Sequence, residues 1–256
     1  MILATSQDIT NATVIQDGTA GQFIDDTIDY TFDTNWHSGI AFASTQVEFN
    51  PGDNYTYVGI AGHNIGSMGA TITISNHDVD ELVAYAPIDD RPIMIEVTPR
   101  SGGSKDLFIT ITKANVSDSI IITHVAAGQS TDFTSTTTSG QIITRDYSAG
   151  YPRIPMNRAR KSKVTLNQSA APTATLIRTV SQKVRLNIAN VATNFAQDEL
   201  LEYQTFWTEN AFFIQNDDDL TQTYIAMQFI PIAPSTHGST RELVNLGYSF
   251  TAYNGL

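Results

Sequence analysis

The sequence predicts a mainly β protein in two parts: an antiparallel β-sandwich, then a second β domain with one helix. Three observations carry this. Charged residues make up only 16% of the 256 residues while 41% are hydrophobic, and Thr, Ser, Asn, Ile and Gly fill the gap, a composition suited to sheets and turns. Short period-two segments separated by turn residues recur over the first 125 or so positions, the pattern of a sandwich. One stretch alone, Phe195 to Asn210, has helical spacing. The length suits two ordinary domains.

Taken in order, Ile9 to Ile15 reads as a first strand, closed by the turn Gln16-Asp17-Gly18-Thr19. Asp25 to Asp33 alternates acidic or Thr residues with Ile28, Tyr30 and Phe32. Trp36 precedes a strand over Ile40 to Phe49, ended by Asn50-Pro51-Gly52-Asp53. Tyr55 to Ser75 then reads as strand, tight polar loop, strand, a central hairpin in which Gly62, Gly66 and Gly69 shape the loop. Pro92 to Val97, Leu107 to Lys113 and Ser119 to Val125 complete the first domain, residues 1–130. Residues 126 to 140 are small and polar, and 131–140 reads as a linker. The second domain, 141–256, holds strands near Gln141–Arg145, Leu176–Ile188, Phe212–Gln215, Tyr224–Ile232 and Arg241–Tyr253. Its helix, 195–210, is capped by Asn194. Leu200, Tyr203, Phe206 and Trp207 share one face.

The net charge of −12 is unevenly distributed. Residues 1–90 hold 13 acids and no Lys or Arg, while residues 141–200 hold nine bases against three acids. An acidic part and a basic stripe on one chain suit head-to-tail contact between copies, or else two solvated surfaces of opposite sign. Cysteine is absent, which removes disulfides, thiolate zinc sites and thiol nucleophiles. The start lacks a basic, then apolar leader, and no apolar run is long enough for a membrane helix. The expectation is a protein made in the cytoplasm, without membrane or nucleic-acid partner, the overall acidity opposing a polyanion.

No reaction is written in the motifs. Serine elbows, phosphate loops and paired metal-binding histidines are all lacking. The acidic runs Asp25-Asp26, Asp89-Asp90 and Asp217-Asp218-Asp219 lack the alternate spacing of a calcium loop. No cofactor, metal or catalytic residue is expected. His63 and Asn64 stand out in the loop after the strand at Tyr57. Such a pair either touches a ligand or hydrogen-bonds its own loop, and the second fits more readily. Trp36, Tyr55 and Tyr85 are the aromatics that would serve a sugar site if exposed. The basic residues Arg153, Arg158, Arg160, Lys161 and Lys163 are candidates for contacts between subunits.

Residues 30 to 125, with the Trp36-led strand, YVGIAGHNIGSMGATITIS, LFITITK and SIIITHVAAG, resemble the galactose-binding-like jelly roll found in structural proteins of tailed bacteriophages. Residues 158 to 232, with LLEYQTFW, FFIQND and YIAMQFIPI, resemble the β-barrel-plus-helix module of phage tail-tube, distal-tail and tail-tip ring proteins. The resemblance implies a non-enzymatic virion component, a ring-forming tail-tip, distal-tail or baseplate protein. Its partners would be further copies of itself, other virion proteins and a host-surface glycan. A capsid decoration or head-tail protein, or a carbohydrate-binding adhesion module, are the alternatives.

Overall fold

The computed structural model describes residues 2–7, 9–16, 36–38, 43–51, 55–76, 79–98, 106–113, 115, 117, 119–132, 142–147, 159–166, 172–193, 200–215, 220, 223–237 and 243–253. They form a mainly β protein with antiparallel sheets, in two compact units. One comprises Met1–Thr136 with Asn210–Ile225, the other Thr137–Glu209 with Ala226–Asn254.

The first unit is a β-sandwich. One sheet has five strands: β2 (Ile9–Gln16), β4 (Ser44–Pro51), β9 (Leu107–Thr112), β6 (Thr71–Asn76) and β7 (Val79–Tyr85), in that spatial order. Alternation decides its inner face. Val47 and Phe49, Ile72 and Ile74, and Leu107, Ile109 and Ile111 point inward and are almost wholly buried. The second sheet is β11 (His124–Gly128), β5 (Tyr57–Ala61) and β8 (Ile93–Glu96). Val58, Ile60, Ile93, Ile95, Val125 and Ala127 share the same core. Burying each larger aliphatic side chain contributes about 1.5–3 kcal/mol relative to exposure.

Every residue of β5 and β11 is buried, on both faces of the sheet. The outer face is covered by β16 (Phe212–Gln215), which pairs with β1 (Ile2–Ala4). The Phe213 ring stacks on His124 with centroids 5.9 Å apart and tilts against Tyr57 at 6.3 Å. A Cβ on Gly59 would lie 2.6 Å from that ring. Gln215 donates to the Met94 carbonyl at 2.7 Å. β3 (Trp36–His37) and β10 (Ile121–Ile122) form a separate two-stranded sheet.

Three expectations are corrected. Tyr55–Ser75 is not a hairpin: β5 and β6 belong to different sheets, so the loop between them arches from one layer to the other. The expected linker begins inside a strand, since β12 (Ser130–Asp132) pairs with β1, Thr131 opposite Leu3. Residues 210–225 group with the first unit rather than the second domain, because β16 completes that unit. Strand β7, bulged and mostly exposed, has no counterpart in the sequence reading. The segments Asp25–Asp33 and Asp217–Asp219 lie outside the described residues.

The second unit holds long antiparallel strands. β15 (Pro172–Ala192) pairs with β13 (Ile142–Tyr147), β14 (Ala159–Leu166) and β18 (Leu243–Tyr253), and β18 neighbours β17 (Thr223–His237). Helix α1 (Leu200–Glu209) packs through Trp207, fully buried and edge-on to Tyr248 at 6.0 Å. Gln204 donates to the Tyr248 hydroxyl at 3.0 Å. Burial pushes that hydroxyl well above its ordinary pKa, and the Gln204 bond offsets this only in part. Among the described residues, no helix is long and apolar enough to cross a membrane.

Candidate functional site

The conspicuous motif and the open cleft are neighbours but differ in character. After β5 the chain turns at Gly62, whose φ of +59° suits glycine. Its carbonyl accepts from the Thr123 amide at 3.1 Å and the Thr123 hydroxyl at 2.8 Å. Asn64 then ties the loop to the strand pair beyond it. Its Oδ1 accepts from the Ile121 amide at 2.7 Å and its Nδ2 donates to the Ser119 carbonyl at 3.0 Å. Its own carbonyl accepts from the Met68 amide and the Ser67 hydroxyl. Both ends of the Asn64 amide are therefore spent on backbone partners.

His63 is only 4% exposed. Its Nδ1 accepts from the Ile65 amide at 3.3 Å, which leaves the proton of the neutral ring on Nε2. Nε2 is buried and forms no hydrogen bond of normal geometry, though the Arg91 backbone faces the ring. Burial lowers the ring's pKa below its usual value. Asp90, the Arg91 backbone and Asp89 pull the other way, in that order, without prevailing.

The loop locks against residues 89–91. Asp90 accepts from the Ser67 amide at 2.8 Å. At Gly66 the two backbones nearly touch: a Cβ there would lie 2.3 Å from the Asp89 carbonyl oxygen. Asp89 in turn accepts from the Arg91 amide and pairs with its Nε at 2.9 Å, both side chains about half exposed.

These residues border an open cleft of about 260 Å³, lined by Tyr85, Pro87, Ile88, Asp89, Arg91, Pro92, Ile93 and Leu220. A β-bulge delivers Tyr85 to it. Ile72 pairs with Tyr85 and Ile74 with Leu82, so Val83 and Ala84 together oppose Thr73. Ala84 has a φ of +43°, a left-handed conformation that L residues avoid, and donates its amide to the Thr73 hydroxyl at 3.1 Å. Bulges of this kind re-aim the next side chain. Ile88 projects beside the cleft, 86% exposed.

Of the sequence candidates, His63 lies near residues 89–91 of the cleft's rim, and Asn64 ties the same loop to residues 119–121; neither is among the residues that line the cleft. Tyr85 lines the cleft. Tyr55 is 3% exposed, part of the core, and is no exposed sugar platform. Trp36 pairs through its backbone with Ile122. Arg160, Lys161 and Lys163 lie on β14, while Arg153 and Arg158 fall outside the described residues. Among the described residues no three His, Asp or Glu side chains gather as a metal site. Asp89 entered only as part of an acidic pair, and Arg91 and Leu220 carry no sequence signal that joins them to it. The Asp89-Asp90-Arg91-Pro92 run gave the only local signal.

No family model and no curated protein matches the chain. Several solved structures are similar to this chain over part of its length. A GH29 fucosidase of Ruminococcus gnavus in complex with fucose is 15% identical, over 42% of this chain and 22% of that chain, with a TM-score of 0.32. A pectin-binding carbohydrate-binding module is 14% identical over 53% of this chain and 95% of its own, TM-score 0.34. A truncated AlyQ with CBM32 and alginate lyase domains is 15% identical over 83% and 54%, TM-score 0.36. This chain thus matches about a fifth of the fucosidase's length and about half of the AlyQ chain's. Likeness at this level assigns no family, and the functional reading rests on the cleft itself.

Proposed function

We propose that this chain is a non-enzymatic recognition protein whose first unit takes up a saccharide in the cleft beside Tyr85. The observation that carries the reading is the pairing of an aromatic ring with a pre-formed Asp89–Arg91 ion pair at the mouth of an open cleft. A sugar ring offers C–H groups on one face and hydroxyls at its edge. The partly buried Tyr85 ring and the exposed Ile88 suit the first. The carboxylate accepts from hydroxyls, and the guanidinium donates to them. Asp89 and Arg91 already hold each other, so little side-chain entropy is lost on binding.

The test is a glycan array followed by titration calorimetry on the purified chain. Tyr85→Ala and Arg91→Ala should each weaken an identified binder by about tenfold or more, equivalent to about 1.4 kcal/mol. A broad array without a single binder ends this reading.

A second reading is favoured by the division of charge, 13 acids and no base in residues 1–90 against nine bases in 141–200. On it, the protein is a structural component of a tailed-phage particle, in the tail tip, distal tail or baseplate, and the saccharide is one on the host surface. Cryo-microscopy of the particle tests it. Absence of the chain from purified virions counts decisively against it.

A further inference from the structure

One base reaches the cleft beside Tyr85, and its charge is already matched. Asp89 and Arg91 are the two charged residues that line the cleft. Oδ1 of Asp89 accepts from the Arg91 amide at 3.2 Å, and Oδ2 pairs with the Arg91 Nε at 2.9 Å. A single residue thus engages both carboxylate oxygens. A dissolved carboxylate would have to displace a partner tethered two residues away, whose effective concentration is far higher than its own. Arg91 is therefore poorly placed to capture an acidic sugar. Asp89, by contrast, keeps acceptor capacity: an ionised carboxyl offers about four lone-pair sites, and two of them meet Arg91. Its side chain is 47% exposed, open to a ligand.

The surroundings are negative. Asp90, next in the chain, accepts from the Ser67 amide at 2.8 Å, a neutral partner that leaves its charge in place. Residues 78–90, DVDELVAYAPIDD, hold five acids and no base. Among the described residues of the first unit, Arg91 and Lys113 are the only Arg and Lys, and Lys113 is buried. His63, near residues 89–91, has its pKa lowered by burial and adds no charge near neutral pH. With Asp89 and Arg91 cancelling, the field at the cleft is that of the remaining acids. A unit charge pair at about 4 Å in water changes affinity by about fivefold. The Tyr85 ring and Ile88 take a sugar's C–H face whatever charge the sugar carries.

We propose that the cleft selects amino sugars, saccharides with a protonated primary amine, over neutral sugars and over uronic acids, and that Asp89 sets this order. The ammonium donates to the lone pairs that Arg91 leaves on the carboxylate, a charge-assisted bond. A neutral sugar has only hydroxyls to offer the same oxygens. A uronate meets them as a like charge, with Arg91 already taken. The proposal rests on the saccharide reading and names the class of sugar for it. It does not depend on assembly into a particle.

The experiment is calorimetric titration of the full chain with three β-1,4-linked trisaccharides of like backbone and different charge: the glucosamine trimer, cellotriose and the glucuronate trimer. It is run at mildly acid pH, where the amines are protonated and Asp is ionised. At about 0.1 M salt the glucosamine trimer should bind about fivefold or more tighter than cellotriose, and the glucuronate trimer weakest. At about 1 M salt, where the screening length falls to about 3 Å, the spread should narrow. Asp89→Asn should abolish the amine preference and raise the glucuronate trimer in the order, because the Arg91 charge loses its partner. Asp80→Asn, on β7 but away from the residues that line the cleft, should keep the wild-type order. 1,4-Diaminobutane, an amine without a sugar ring, should not compete with the glucosamine trimer. Cellotriose or the glucuronate trimer binding wild type as tightly as the amine overturns the proposal alone. So does an amine preference that survives Asp89→Asn, since the chain's overall acidity would then explain it, or diaminobutane competing as well as the sugar. If none of the three binds, the proposal falls, and if the glycan array is also blank the saccharide reading falls with it. Thermal melting checks that both variants fold, and the wild-type order alone decides the matter where one does not.

Discussion

The loop at residues 62–70 and the segment at 83–91 touch, yet they solve opposite problems. The loop has three polar side chains, His63, Asn64 and Ser67, and each hydrogen-bonds within the protein. Asn64 satisfies an amide, a carbonyl and two more donors with one residue. The 83–91 segment carries Tyr85, Asp89, Asp90 and Arg91: Asp90 holds the loop, Asp89 and Arg91 pair with each other about half exposed, and Ile88 is 86% exposed beside them. A catchy motif of His, Asn and Gly is thus the clamp, and a plain run of residues is the surface it holds. Polarity in sequence does not distinguish groups left at a surface from groups spent on holding a loop.

The contrast can be broken from the clamp side first. Asn64→Ala would strip partners from the Ile121 amide and the Ser119 carbonyl, which lie partly buried. Leaving such groups unpaired costs about 1–3 kcal/mol each, so urea denaturation should show a loss of about 2–6 kcal/mol. A loss below about 1 kcal/mol would mean the loop is not a clamp. Gly66→Ala comes next. Its Cβ must push back the Asp89 backbone, an overpacking cost of about 1–3 kcal/mol. It should also shift the amide NMR signals of residues 88–92, whereas a mutation at an ordinary exposed loop position would not.

His63 sharpens the comparison through pH. Its pKa is lowered in the folded protein, against 6.5 when unconstrained. Below 6.5 the unfolded chain binds the proton more readily, so unfolding is favoured as pH falls. The stability it confers is full above about 6.5 and declines as pH drops from there toward the folded pKa. Denaturation midpoints followed from neutral to acid pH should fall more steeply for wild type than for His63→Gln. Parallel curves would exclude His63 as the source. The smallest effect is expected at Ala84→Gly. Relief of the left-handed strain, about 1–2 kcal/mol, is largely offset by the greater freedom of unfolded glycine, leaving a stability change within about 1 kcal/mol. The same replacement at an extended position such as Ala126, buried in β11, should cost more.

Most strands were legible because alternation is a local property. β4, β6 and β9 each show it without a break. The continuous run at β5 was legible too, although its reason lies far away, in a strand near residue 213 that covers its outer face. β7 escaped because its bulges destroy period two and its side chains are mostly exposed. β1 and β12 escaped because three residues are too few to show a period. The hairpin reading of Tyr55–Ser75 failed for a different reason: a loop's residues reveal that the chain turns, not which strand it turns toward. The cleft was least legible, since Tyr85, Arg91 and Leu220 meet only through the fold. Tyr85 is legible as one aromatic among several and Asp89 as half of an acidic pair, but nothing local joins them to Arg91 or Leu220.

Strand β16 carries a consequence for how the chain is made. Phe213 and Gln215 close the outer face of a sheet whose other strands end by Gly128. During synthesis, that sheet waits with Tyr57, Gly59 and His124 uncovered while some eighty further residues are added, many of them belonging to the second unit. The first unit therefore cannot finish as the nascent chain leaves the ribosome in order, and a fragment ending near residue 136 would emerge with an apolar face that solvent, a chaperone or another fragment must meet. The two units are interlocked in the order of their synthesis.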